Sequence, residues 1–494
     1  MQVVLFDTPD LVAETFALQS RSGTVVHRWN FGPVGEQSED AFTPLCILHE
    51  KAWETRFSVN LEELALLRSG DLLFIDLELT CDRVFLSPLS NTDRILYLAR
   101  LKSLIRFELN KKNPDVAFFS ATPHFPWDLC AEQVLRERGC RLFSLRPTHV
   151  DGRVSVVEHR SDAPRFRFVD RSEIGTLVSD RLPTNQFPFG KTKSEVSRRL
   201  GANYQHSRSQ SRNQASYWTL LTETLRARKR ILSQALRRAS APTSVAKKNL
   251  DYFSVIPWLD RKLLPIRQVR NTRKYLRLIG TLVEPDSVGE FIAFFMHFQP
   301  ERSTDPEAGL SRFQVSSILK LRSMLDEEGL SELPILVKEH PRQWRSAGVD
   351  IRRVLSRSEE FYGTLLSVRG VQLVRSDYPS ESFIKGASLV VTPNGSAAWE
   401  AVCLAKPSLT FVETWHSSCF AAPNLDSLET SGRTLSTLMG MSEEDVESSL
   451  RQFWTNESVT HSGVINPDHV DQGDFEQLFR ATGGLMARVA QRSM

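Results

Sequence analysis

Three short stretches of this 494-residue chain bring together residue types that can hold a phosphate. The first is Gln299-Pro300-Glu301, which follows the apolar run 291–296. The second is Lys338-Glu339-His340-Pro341-Arg342, which follows Ile335-Leu336-Val337. The third is Thr392-Pro393-Asn394-Gly395-Ser396, which follows Leu389-Val390-Val391 and runs into a helical stretch carrying Glu400. A strand that passes through small residues into a helix aims N–H groups and hydroxyls at one point, and the helix dipole favours an anion there. A plain N-cap by Asn394 or Ser396 would explain the same letters. A histidine at a strand's carboxyl end can bond or charge-pair with phosphate, and Pro341 would fix the turn that aims it. The competing reading is an exposed loop histidine between Lys338 and Arg342.

The elements that must position these groups alternate strand and helix. Residues 3–6 read as a first strand ending in Asp7, and 72–75 as another ending in Asp76. Helical spacing covers 93–107. Residues 115–119 read as a buried strand closed by Ser120-Ala121-Thr122-Pro123-His124. A helix over 126–138 stops at Gly139, and 141–145 is the next strand. Strand, helix, glycine, strand is a βαβ unit, which implies a parallel sheet. From about 288 the rhythm resumes, with strands at 291–296, 335–337, 371–374, 389–391 and 407–411 and helices at 311–328, 357–367 and 397–404. The last sixty residues read as mostly helical. Open α/β sheets bind ligands outside the carboxyl ends of their strands, so the three stretches are expected to converge on one rim.

Composition narrows the field. Hydrophobic residues make up 41% and charged residues 24%, ordinary for a globular chain. No apolar run suits a transmembrane helix, and the N-terminus reads as a strand and helix, not a signal peptide. The six cysteines form no CxxC pair, so neither a zinc site nor a disulfide framework is indicated and a cytoplasmic setting is expected. Asp76-Leu77-Glu78 mimics a metal-binding acidic motif but reads better as ordinary strand-end acids; no metal and no cofactor are expected. The net charge of +3 hides an uneven distribution: residues 191–277 hold 21 Lys/Arg against 4 Asp/Glu. That stretch suits solvated helical faces, or an anionic membrane surface or lipid-linked acceptor, with Tyr217, Trp218, Tyr252, Phe253 and Trp258 interleaved. No nucleic-acid module is visible, so nucleic acid is not an expected partner.

HFQPERSTDPEAG, LVKEHPRQ and TPNGSAAWEAVCLAKPSLTF together resemble the bacterial capsule polysaccharide biosynthesis family, which includes Kdo transferases. The likeness covers about 291–415, is looser over 113–145, and is not evident in 1–110 or 425–494. It implies a GT-B-like α/β fold: two Rossmann-type parallel-sheet domains facing a cleft, here with a basic helical insertion. The expected divisions are an acceptor-side domain (1–185), a basic linker (186–287), a donor-binding domain (288–425) and a C-terminal helical segment (426–494). It further implies a metal-independent glycosyltransferase that uses a nucleotide sugar, typically a CMP-sugar such as CMP-Kdo, and a glycolipid or glycan acceptor. The protein would then be cytoplasmic or peripheral on the inner membrane. By the resemblance His340 and Ser396 would hold the donor phosphate, with Gln299 and Glu301 nearby. Gly395-Ser396 stands where the family often has Gly-Thr, and Pro393-Asn394 is less typical.

Charge on a leaving phosphate can be stabilised by a helix N-terminus with basic side chains. Lys338, His340, Pro341, Arg342, Thr392, Asn394, Gly395, Ser396 and Glu400, with Gln299, form the expected donor site. A general base would come from across the cleft. His124 and Asp128 are the candidates, with Glu301 as a further catalytic carboxylate and Asp7 and Asp76 as rivals. A teichoic-acid-type glycerol- or ribitol-phosphate transferase is the enzymatic alternative, although Asp377-Tyr378-Pro379-Ser380 only partly echoes that family's motif. A non-catalytic GT-B-fold scaffold is the other.

Overall fold

The computed structural model describes residues 1–31, 42–67, 80–81, 90–148, 150, 153–160, 166–169, 282–299, 302–304, 306–340, 343, 357, 359–376, 378–454, 460–462 and 475–492. The strand expected at 72–75, Asp76, Glu78, Glu301, Pro341, Arg342 and the basic stretch 191–277 lie outside them.

The described residues form two α/β sheets, one N-terminal and one C-terminal. The N-terminal sheet is built on β1 (Gln2–Phe6), β2 (Val25–Trp29), β3 (Val116–Phe119) and β4 (Arg141–Pro147), all parallel and ordered β2-β1-β3-β4. Burial explains the sequence: β1 and β3 lie inside the sheet with both faces covered, so Val3 to Phe6 and Val116 to Phe119 are continuous apolar runs, not alternations. The sheet is not purely parallel. β5 (Arg153–His159) returns antiparallel to β4 and carries β6 (Phe166–Phe168) and β12 (Thr460–Ser462) on its outer edge. The parallel expectation fails here because a short connection joins β4 to β5, and only antiparallel partners can be joined that way.

The C-terminal sheet contains β7 (Ile292–Phe295), β8 (Ile335–Lys338), β9 (Val371–Val374), β10 (Leu389–Thr392) and β11 (Ser408–Thr410). All its pairings are parallel and its order is β9-β8-β7-β10-β11. In order of succession this is 3-2-1-4-5, the doubly wound arrangement with its crevice where the order reverses, between β7 and β10. The N-terminal order has its own reversal between β1 and β3.

The chain returns to the N-terminal domain at its end. The helix Phe475–Arg492 packs on the helix Asp10–Gln19, burying Leu485, Met486 and Ala490 against Val12 and Phe16. Gly483 makes this approach possible: a Cβ there would stand 2.5 Å from the Val12 carbonyl oxygen and 2.8 Å from Thr15 Cβ. A shared apolar cluster joins the domains, placing Val157 and Phe168 with Phe291, Phe383 and Trp399. All six cysteines are buried and none is in a disulfide. Among the described residues no helix is long and apolar enough to cross a membrane.

Candidate active site between two switch points

At the C-terminal reversal, β7 delivers His297 and β10 delivers Thr392. The His297 ring is buried between the two strand ends. Its Nε2 accepts the Asn394 backbone N–H at 3.1 Å and lies 3.0 Å from Thr392 Oγ1. Accepting at Nε2 places the proton of the neutral ring on Nδ1, which has no hydrogen-bond partner among the described residues. Burial drives the imidazole down to about 4; Glu307 opposes that shift and Arg357 adds to it. At neutral pH His297 is therefore an uncharged acceptor that fixes the 393–395 turn.

Gly395 is the N-cap of the helix Ser396–Cys403, and no side chain caps that helix. A Cβ on Gly395 would come within 2.7 Å of Thr392 Oγ1 and 3.0 Å of His297 Nε2. Glycine is thus required by contact with the strand ends beneath the turn. Asn394 anchors the turn from the other side by donating its Nδ2 to the Ser303 carbonyl at 3.3 Å. The plain N-cap reading of Asn394 and Ser396 does not describe what is seen: neither side chain makes a capping hydrogen bond to this helix. Ser396 begins the helix with Glu400 in its next turn, and both are partly exposed.

Beneath this turn lies a polar network that sequence reasoning did not find. Arg357 is fully buried, and its Nε and one terminal nitrogen donate to Glu339 at 2.7 and 3.2 Å. The same guanidinium donates to the His297 carbonyl at 3.0 Å and to Gln299 Oε1 at 2.9 Å. Tyr362 donates its hydroxyl to Glu339 at 2.8 Å. Gln314 accepts the His297 N–H at 2.7 Å. Glu339 is accordingly the residue that fixes the β7 and β8 ends, while Gln299 has its amide oxygen occupied by this network. Lys338 is buried and donates to Ser380 Oγ at 3.1 Å, on the side of the sheet that holds Phe295. His340 stays partly exposed on the rim, with its ring 5.8 Å from that of Phe298.

In the N-terminal domain the loop after β3 carries Thr122 and His124. His124 Nδ1 lies 2.8 Å from the Thr122 carbonyl, an acceptor only, so Nδ1 carries the proton and Nε2 is the basic nitrogen. Asp128 is in the first turn of the helix Pro126–Glu137. Burial pushes its carboxyl well above the usual carboxylate range, the neighbouring Asp7 adds to this, and backbone hydrogen bonds at His124 and Phe125 oppose it. Asp128 thus grips the backbone that presents His124. Asp7 follows β1 with φ of 46°, a left-handed conformation that Asp tolerates better than most residues, and accepts the Phe31 N–H at 2.5 Å. Desolvation raises its carboxyl too, although it retains solvent access.

Glu307 joins the two halves. It extends from the loop after β7 and lies 3.3 Å from Arg146 Nε of the N-terminal domain and 3.2 Å from Arg302 Nε of its own. Burial pushes the Glu307 carboxyl up, but Arg146, Arg302, a hydrogen bond with Thr122 and nearby His124 together hold it below the ordinary value. Arg146 also donates to Thr122 Oγ1 at 3.0 Å. Glu307 belongs to the phosphate-site stretch seen in the sequence, yet its pairing with Arg146 of the N-terminal domain left no local signal. Among the described residues no group of three or more His, Cys, Asp or Glu side chains could hold a metal.

No protein-family model matches the chain, and no curated protein matches it. Solved structures similar to it include the UDP-GlcNAc 2-epimerase of Methanocaldococcus jannaschii in complex with UDP-GlcNAc and UDP, at 12% identity over 99% of both chains with a TM-score of 0.23. The Neisseria meningitidis UDP-GlcNAc 2-epimerase bound to UDP-GlcNAc is 12% identical over 99% of this chain and 100% of that one, with a TM-score of 0.21. The S. aureus MnaA–UDP co-structure is 9% identical over 92% and 88%, with a TM-score of 0.20.

Proposed function

We propose that the protein is a nucleotide-sugar-dependent glycosyltransferase of bacterial surface-polysaccharide assembly, taking a Kdo-like sugar from a CMP donor to a glycolipid or glycan acceptor. One observation carries the reading: the loop after β7 holds the turn before the helix Ser396–Cys403 through Ser303 and Asn394, and through Glu307 it pairs with Arg146 of the N-terminal domain close to His124. In this reading the first-turn amides, the Ser396 hydroxyl and His340 receive the donor phosphates. They carry the charge that develops on the leaving group. Neutral His297, Thr392 and Asn394 hold the turn in place beforehand, so little reorganisation is needed when the donor binds. His124 Nε2 takes the proton of the acceptor hydroxyl, and Asp128 positions it.

The leaving charge is met by protein groups, so transfer is expected to survive chelation; loss in chelator restored by magnesium would contradict this. The basic stretch 191–277 would meet an anionic membrane or lipid-linked acceptor, and equal liposome recovery with and without anionic lipid at low salt would count against that role. The assignment as a whole is tested by melting the protein with CMP, CDP, UDP and GDP, because a ligand that binds only the folded state raises the melting temperature. A cytidine nucleotide is expected to give the largest shift. A response to UDP alone would overturn the cytidine donor.

A further inference from the structure

The Glu307 carboxylate ties the loop that carries His124 to the loop that holds the 393–395 turn. Glu307 and Thr122 are both buried, one in the loop after β7 and the other in the loop after β3. On the C-terminal side the Glu307 loop is held firmly. Asn394 Nδ2 donates to the Ser303 carbonyl at 3.3 Å, Thr304 Oγ1 donates to the Phe298 carbonyl at 3.0 Å, and the Glu307 N–H donates to the Arg302 carbonyl at 3.3 Å. On the N-terminal side Glu307 shares a hydrogen bond with Thr122 and lies 3.3 Å from Arg146 Nε, which itself donates to Thr122 Oγ1 at 3.0 Å. The Arg146 guanidinium packs in turn on two rings of β6, 5.1 Å from the centre of Phe166 and 5.3 Å from that of Phe168. The Thr122 carbonyl then meets His124 Nδ1 at 2.8 Å. A contiguous path therefore runs from Asn394 through Ser303, Glu307 and Thr122 to His124.

We propose that Glu307 is a positioning residue: it sets His124 relative to the donor turn and passes occupancy of that turn to the 120–124 loop. This rests on the donor turn assigned above. A phosphate received at Ser396 restrains the 393–395 turn, and Asn394 carries the restraint to the loop that holds Glu307. Packed and hydrogen-bonded paths of this kind are what carry energetic coupling between sites. Coupling of binding is reciprocal, so a donor on the turn and an acceptor at the 120–124 loop raise one another's affinity. A mere strut between the domains would stabilise the fold without transmitting anything, and the two roles part on the response to nucleotide.

The test is amide hydrogen exchange of the full chain with and without CMP, in the parent, in Glu307→Gln and in Thr122→Val. In the parent, CMP is expected to slow exchange at 120–125 by about fivefold or more, the small end of coupling between two sites. In each variant that response should be lost while the slowing at 396–398 remains. The double variant should lose no more than either single one, because both changes cut the same link. Without nucleotide, exchange at 120–125 should already be faster in Glu307→Gln than in the parent. Circular dichroism melts establish that each variant folds, and Thr122→Val carries the test if Glu307→Gln does not. No slowing at 396–398 in the parent with CMP, CDP, UDP or GDP would overturn the donor turn and the transmission with it. Slowing at 396–398 that never reaches 120–125, or that reaches it undiminished in a folded variant, would overturn the proposal and leave the donor turn standing. Ligand-free exchange at 120–125 unchanged in folded Glu307→Gln would overturn the tie itself.

Discussion

Replacing Gly395 with alanine tests whether the turn above His297 is the organiser of the cleft. The new methyl would stand 2.7 Å from Thr392 Oγ1, 3.5 Å from Thr392 Cγ2 and 3.0 Å from His297 Nε2, where ordinary contacts begin at 3.4 Å. The turn must therefore lift by about 0.7 Å, or the two side chains must retreat by as much. Neither side chain can do so freely: both lie on buried strand ends, and His297 is tied at Nε2 and at its backbone N–H and carbonyl. Overpacking of this kind costs about 1–3 kcal/mol. To the extent that the lift moves the helix N-terminus, nucleotide affinity falls with it, by about tenfold for each 1.4 kcal/mol. Melting curves with and without CMP report both effects. Thr392→Ala removes the nearest atom, so in the Gly395→Ala background it should recover part of the loss, giving a coupling of about 0.5–3 kcal/mol. A Gly395→Ala protein that melts and binds like the parent, or losses that simply add in the double variant, would refute this account of the turn.

Other expectations follow from the same network. Arg357→Leu leaves Glu339 buried without its cation and should cost about 3–5 kcal/mol, seen as a large drop in melting temperature; a small drop would mean that Glu339 does not depend on it. Gly483→Ala should loosen the helix Phe475–Arg492 from the helix Asp10–Gln19 and speed amide exchange in both, and unchanged exchange would contradict the close approach. His297 and His49 are both held at about 4 by burial, below an ordinary value of 6.5. The unfolded chain thus takes up protons that the folded one refuses, and stability should fall as pH drops from about 6.5 toward 4. His297→Asn should make that slope shallower. An equal slope would show that His297 is charged in the fold. His124→Ala should cut turnover by well over about tenfold with donor binding kept, and unchanged turnover would remove it from the mechanism.

The sequence made some of this legible and not the rest, for physical reasons. β7, β8, β9 and β10 are apolar runs between breakers, so their existence and their polar ends could be read directly. Their order in the sheet could not, because β10 pairs with β7 across 97 residues or so of intervening chain, and register of that kind has no local signature. The Gly395-Ser396 turn was visible as a phosphate-type loop, but glycine's reason, contact with Thr392 and His297, is tertiary. His297 sits at the end of an apolar run, and its use as an acceptor for the turn depends on Asn394 folding onto it. Glu339 was visible between Lys338 and His340, yet its partner Arg357 is 18 residues away. Glu307 stood in the recognised stretch, but Arg146 and Thr122 belong to the other domain. In the N-terminal domain β5, with the sequence RVSVVEH, was not among the expected strands, and the antiparallel edge it creates explains why that sheet departs from the purely parallel expectation.

The central claim is that the cleft between the two reversals binds a nucleotide sugar through the helix N-terminus at Ser396. Calorimetric titration of the full chain with CMP, alongside Gly395→Ala and His340→Ala, tests it most directly. The account predicts binding by the parent chain that weakens at least about tenfold in either variant, the scale of one charged hydrogen bond, while both variants remain folded. No binding of CMP or of any other nucleoside phosphate, or binding that both folded variants retain in full, would contradict it.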